Sequence, residues 1–236
     1  GELANTLARL VDLTTGHEQV DLLTELSRIL RDHLGRLDAA HQTIQRAIRL
    51  DAGEPSVIRG LLETQRMLSR DDEALQTYER LHKIYEAEGY DEPPADFKMS
   101  VGKLCETLNR PEEALSWFKA ALSHDLNRIE IYEHVQDLML RADGLGATLT
   151  YLEGFLERQL LPNVEMFLRL RVGRLAWREL RQAERAFGVL NPLSTRPDVN
   201  EEVVALLLEM ATAMEDWPQV SRLLEQRLGR VAQADR

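Results

Sequence analysis

Residues 97–122 read FKMSVGKLCETLNRPEEALSWFKAAL. The first half carries an apolar stripe at helical spacing, Val101, Leu104, Cys105 and Leu108. The second half sets Phe118 four residues after Ala114, and Ala121 three residues further on. Between the halves stands Asn109-Arg110-Pro111, a breaker that ends one helix and opens another. The stretch therefore reads as two antiparallel helices joined by a tight turn. A small residue such as Ala114, placed where two helices cross, lets their axes approach to roughly 8–10 Å. An aromatic side chain four residues on lies on the same face and fills the gap beside it.

Related phrases lie on either side. DAAHQTIQRAIRLD (38–51) and DEALQTYERLHKI (72–84) place Ala40, Ile44 and Ala47, then Ala74, Tyr78 and Leu81, in the same order. The small residues are 34 and 40 positions apart, and EGYDEPPAD (88–96) supplies the six-residue insertion. Weaker copies follow at Ala147, Tyr151 and Gly154, at Ala183, Phe187 and Leu190, and at Val220, Leu224 and Arg227, with spacings of 33, 36 and 37. Six units of about 34 residues result, with approximate limits 17–53, 54–90, 95–127, 128–162, 163–197 and 198–232. Their turns fall at Gly35-Arg36, Ser69-Arg70, Asn109-Arg110-Pro111, Asp143-Gly144 and Glu215-Asp216-Trp217-Pro218. One helix pair cannot bury its apolar face alone, whereas stacked pairs share a continuous core. Residues 2–14 read as the second helix of an upstream unit. The chain opens with Gly1-Glu2 rather than Met, so a piece of a longer array is expected.

This pattern resembles the tetratricopeptide (TPR) repeat family. The resemblance is carried by Ala40, Ala74, Ala114, Ala147 and Ala183, by the larger residue four positions after each, and by Gly102 after Val101 in a first helix. Leu61-Leu62 occupies the matching place in the second unit, and Leu26-Ser27 in the first if one extra residue is allowed before the turn. The resemblance implies an all-α fold: a right-handed superhelical solenoid of antiparallel helix pairs, six repeats plus a leading helix, forming one domain over 1–236. The sequence departs from the family where an aromatic often opens the first helix, since Leu23, Ile58 and Lys98 stand there. The closing Pro is missing from most second helices; Ala52 takes its place in one unit, with Pro55 three residues late. The family's Lys/Asn clamp for a C-terminal carboxylate has no counterpart, because the matching positions hold Arg59, Glu63, Asp96 and Ser100. Capture of chaperone tails is therefore not expected.

Composition narrows the function. With 29 Lys and Arg against 40 Asp and Glu, the 236-residue chain carries a net charge of −11. That balance opposes broad binding to nucleic acid or to an anionic membrane. A hydrophobic share of 44% is enough for a packed core, while 13 Gly and 8 Pro are too few for the turns of an all-β protein. No apolar run approaches the roughly 18 residues of a membrane span, and no signal peptide is recognisable. Cytoplasm and periplasm both remain open, and the Arg-, Leu- and Ala-rich wording has a bacterial look. There is no GxGxxG, phosphate-binding loop, HExxH or GxSxG motif. His17, His33, His41, His82, His124 and His134 form no pair at i+3 or i+4, so none makes a helical metal clip. His33 and His41 flank the first turn and are expected at the surface. Cys105 is expected to be a buried, inert thiol. No catalytic residue, metal or cofactor is expected.

The expected function is a non-catalytic scaffold that holds a partner protein or peptide in a concave groove lined by first helices. Off the packing stripe these helices carry Arg28 and Arg31, then Arg59, Glu63 and Arg66, then Lys103 and Glu106. Such cations within an acidic chain suit an acidic peptide. The plainer reading is a solvated face with internal pairs such as Arg59–Glu63. An alternative partner face is Arg171, Arg174 and Arg178, spaced to share one side of a helix within the run Arg169, Arg171, Arg174, Arg178, Arg181 and Arg185. Its plainer reading is an outer face partly neutralised by Glu179 and Glu184. The loop over 86–96, with Pro93 and Pro94, is expected to be a spacer or a docking element. The resemblance suggests a bacterial secretion, polymer-export or motility assembly as the setting. Two other classes stay open: an accessory repeat domain of a larger enzyme, and an RNA-binding helical repeat. The net charge and an aromatic share of 6% weigh against the second.

Overall fold

The computed structural model describes residues 1–87, 95–196 and 199–234, and among these there is no β-strand. Thirteen α-helices follow one another: α1 (Glu2–Leu13), α2 (His17–Asp32), α3 (Leu37–Leu50), α4 (Pro55–Met67), α5 (Asp71–Ala87), α6 (Ala95–Thr107), α7 (Pro111–His124), α8 (Ile129–Ala142), α9 (Gly144–Glu153), α10 (Pro162–Arg174), α11 (Ala183–Leu190), α12 (Glu201–Ala213) and α13 (Trp217–Ala234). A wide π turn, Leu175–Glu179, continues α10, and a short 3-10 turn, Asn191–Leu193, continues α11. The even-numbered helices are the first helices of the hairpins and the odd-numbered ones the second. The chain forms two compact units, residues 1–121 and 122–236, divided within α7.

In the N-terminal unit each helix packs on the next from α1 to α6, and α2 also meets α4. Ala4 and Leu7 of α1 share a core with Leu26, Ile29 and Leu30 of α2 and Ala40 of α3. Val11, Val20, Leu23, Ile44, Ala47 and Val57 form the next layer. The three phrases read from the sequence fall in register: Ala40, Ile44, Ala47, Ala74, Tyr78, Leu81, Ala114, Phe118 and Ala121 are each at most 3% exposed. Gly102 of α6 lies against the Phe118 ring of α7, where a β-carbon would stand 2.8 Å from the ring. This is the close crossing that the small residues permit.

In the C-terminal unit α8 packs on α9, α9 on α10, α10 on α11, α11 on α12, and α12 on α13. Here the register differs from the sequence reading. In the fourth unit Thr148, Leu152 and Phe155 are buried, while Ala147 and Gly154 are exposed. Thr148 can take the small-residue place because its hydroxyl donates to the Gly144 carbonyl at 2.8 Å, which satisfies it within its own helix. In the fifth unit the buried set is Ala186, Leu190 and Leu193, three residues beyond the expected Ala183 and Phe187. Gly173 meets Leu190 as Gly102 meets Phe118, with a β-carbon position 2.6 Å from the leucine. In the sixth unit α13 buries Leu223, while Leu224 and Arg227 are exposed.

Left-handed turns join the helices of each pair. A helix end leaves carbonyls without partners, and a residue in the left-handed region folds the chain back so that the next amide can reach them. Gly35, Ser69, Asn109, Arg181 and Glu215 adopt this conformation, with φ between 55° and 62°. The following amide then donates across five residues in Arg70 to Gln65, Arg110 to Cys105 and Asp216 to Ala211, at 2.8–2.9 Å. In Arg36 to Leu30 and Gln182 to Ala176 it reaches across six, at 2.8 and 3.0 Å. The first helix of the first unit thus carries the extra residue expected of it. The fifth unit carries one too, within the π turn, which no periodicity announced.

Candidate partner-binding groove

Three adjoining concavities run along α2, α4 and α6 in the N-terminal unit. Between α2 and α4 lie one of about 340 Å³, walled by Ser27, Arg28, Arg31, Arg59, Gly60 and Glu63, and one of about 530 Å³ beside Arg31, Asp32, Glu63, Arg66 and Met67. Between α4 and α6, with α5 beneath, lies a third of about 280 Å³. Its floor is Leu62, Tyr78, Leu81 and Tyr85, its rim Arg59, Glu63, Arg66, Asp96, Phe97 and Ser100; Glu63 is held by Arg31 of α2. Phe97 meets Tyr78 edge to face, with ring centroids 5.0 Å apart, and Tyr85 at 6.3 Å.

The four arginines of this region differ in what they hold. Arg28 is exposed and turned onto Glu25, with its Nε 2.8 Å from Oε2. That contact holds the Glu25 carboxyl below the ordinary carboxylate range. Arg31 is buried to 8% exposure and acts as a strut. Its Nη2 sits 2.7 Å from Glu63 Oε2 across the α2–α4 junction, its Nε donates to Asp32 Oδ1 at 2.7 Å, and its Nη1 reaches the Gly60 carbonyl at 3.4 Å. Arg31 and Glu63 thus hold one another, and the Arg59–Glu63 pair considered from the sequence does not form. Arg59 and Arg66 are exposed, and among the described residues neither pairs with a carboxylate; Arg66 Nη1 donates to the Tyr78 hydroxyl at 3.5 Å. Lys103 is exposed on α6 and lines none of the three concavities.

The alternative arginine face is arranged otherwise than expected. Arg174 forms an ion pair with Glu202 of α12, and Trp177 Nε1 donates to Glu209 of α12 at 3.3 Å, so this side of α10 faces another first helix. Arg171 is half-buried with its guanidinium 5.7 Å over the Phe167 ring, and Arg178 is exposed. The π turn begins directly after Arg174 and contains Arg178, which breaks the spacing that set the three on one face. Their neighbours are neutralised by Glu165, which pairs with Arg169 at 2.7 Å and Arg196 at 3.1 Å, and by Glu153, which pairs with Arg185 at 2.7 Å. These are not the Glu179 and Glu184 expected from the sequence.

His41 is not at the surface: it is 4% exposed, and its Nε2 faces Gln45 Nε2 at 2.8 Å and Arg70 Nη1 at 3.2 Å. Burial, and then the Arg70 charge, hold its pKa below the usual value. Cys105 is fully buried, and burial pushes its thiol up to about 11, so the thiolate needed for nucleophilic work is scarce at neutral pH. Most of the 86–96 loop, residues 88–94, lies outside the described residues. Sequence reading missed Phe97, Tyr85 and Met67 as groove residues. A signal existed for Phe97, an aromatic one position before the Lys98 that stands in the family's aromatic place. Among the described residues no three His, Cys, Asp or Glu cluster as metal ligands, and no helix is long and apolar enough to cross a membrane.

At the level of sequence, neither a protein-family model nor a curated protein matches the chain. Solved structures do. YrrB, a TPR protein with an unusual peptide-binding site, superposes with a TM-score of 0.51 at 15% identity, over 89% of this chain and 99% of its own. A tetratricopeptide repeat protein from Parabacteroides merdae gives 0.50 at 15% identity, over 94% of this chain and 83% of its own. MamA gives 0.51 at 15% identity, over 65% and 85%. The chain has the tetratricopeptide-repeat fold.

Proposed function

We propose that this chain is a non-catalytic interaction scaffold whose α2–α4–α6 groove holds an acidic segment of a partner protein. The observation that carries this reading is the pair Arg59 and Arg66. In a chain of net charge −11, two exposed cations stand on the groove wall without a carboxylate partner among the described residues. Other arginines nearby are already spoken for, Arg31 by Glu63 and Asp32, Arg28 by Glu25. A concave row of first helices offers a long recognition surface rather than an enclosed reaction pocket. The peptide-binding site of YrrB, on the same fold, is consistent with such a role. The setting we propose, on the tetratricopeptide resemblance, is a bacterial secretion, polymer-export or motility assembly.

The test uses a displayed library of random peptides selected on the whole chain. Selected sequences should be enriched in Asp and Glu. Arg59→Glu with Arg66→Glu should abolish their binding, mainly by slowing association and flattening its salt dependence. Arg171→Glu with Arg174→Glu should leave it intact. If the second variant loses binding and the first retains it, the α10 face is the site. Circular dichroism confirms that both variants stay helical.

A further inference from the structure

The concavity between α4 and α6 has a shape that specifies more than acidity. Its floor is apolar: Leu62, Tyr78 and Leu81 are nearly inaccessible, and the Phe97 ring closes one side. At about 280 Å³ it is large enough for one aromatic or long aliphatic side chain and too small for a folded element. Arg59 and Arg66 both line it from α4, seven residues apart on one helix, with Glu63 between them in sequence and paired to Arg31. That separation is roughly 10 Å along the axis, or about three residues of extended chain at roughly 3.3 Å each.

Resting on the groove reading above, we infer that the α4–α6 pocket takes one large apolar side chain of an extended ligand, while Arg59 and Arg66 each hold one of two carboxylates about three residues apart. Apolar burial anchors such a segment, and the paired cations set its register. A guanidinium favours carboxylate by its planar donor fork. A basic segment is rejected by both arginines. A segment of acidic residues alone leaves the pocket unfilled and forgoes its anchor.

The experiment measures fluorescence anisotropy of labelled synthetic peptides with the whole chain. Each peptide has one Phe in a Gly/Ser background, between two Glu set two, three or seven positions apart. A fourth peptide has both Glu replaced by Gln. The three-apart peptide should bind best, and the Gln version should bind roughly fivefold or more weakly. Ser100→Trp, which projects a ring into the pocket, should remove the preference for Phe. Arg59→Gln with Arg66→Gln should remove the difference between Glu and Gln peptides. Melting curves confirm that both variants are folded.

A best fit at seven positions, the repeat of a helical ligand, overturns the inference. So does retention of the Phe preference in Ser100→Trp, or no binding of the three-apart peptide up to about 1 mM. If acidic peptides bind through Arg59 and Arg66 without regard to spacing or Phe, the groove reading stands and the pocket assignment falls. If binding ignores both arginines, both readings fall.

Discussion

His41 shows how one side chain gives the repeat stack a pH dependence. Arginine can only donate, so the Arg70 contact requires an unprotonated Nε2 and a neutral ring. Asp38 on its own helix and Glu73 on α5 favour the charged form, but burial and Arg70 outweigh them. The folded pKa is therefore below the unfolded value of about 6.5. The unfolded chain then binds the proton more readily, so this contribution is complete above about pH 6.5 and is lost as pH falls below it. Denaturant melts should show stability dropping between pH 7.5 and 5, with His41→Gln removing that part of the slope. Asp32, held low by Arg31, and Glu25, held low by Arg28, act only at more acid pH. At Arg31 the expected effect is structural. Arg31→Ala should cost about 1–2 kcal/mol by releasing Glu63 from α2, whereas Arg59→Ala should be nearly neutral. Equilibrium urea unfolding of the two variants checks this.

At the scale of the helix pair, small residues and turns decide the register. The first three units were legible because Ala, an aromatic or aliphatic residue, and a second packing residue recur at the same spacing in each. In the fourth and fifth units Ala147 and Ala183 looked like the same signal. Thr148 and Ala186 hold the position instead: Ala186 stands five residues after its left-handed turn residue Arg181, as Ala40, Ala74 and Ala114 do after Gly35, Ser69 and Asn109, and Thr148 stands four after Gly144. Ala186→Phe should destabilise by about 1–3 kcal/mol through overpacking, and Ala183→Phe by much less. Equal effects in thermal melts would restore the register read from the sequence. Glu215 sits at φ 57°, a conformation that disfavours a β-carbon. Glu215→Gly should therefore stabilise by roughly 0.5–1 kcal/mol, raising the melting temperature.

At the scale of the molecule, an acidic chain sets two exposed cations, Arg59 and Arg66, on the wall of one row of concavities. Arg59 and Arg66 were legible as groove residues because the repeat register in their unit was right. Arg31 was legible by position but not by role, since its partner Glu63 lies on the next first helix, 32 residues away in sequence. Phe97 and Tyr85 were hidden because they flank an insertion that interrupts the period. The central claim is that partners bind on α2, α4 and α6. Hydrogen exchange of the whole chain, with and without a library-selected acidic peptide, tests it most directly. The account predicts slowed exchange in Pro55–Met67 and Ala95–Thr107, with α10 and α12 unchanged. Protection confined to Pro162–Arg174 and Glu201–Ala213 would contradict it.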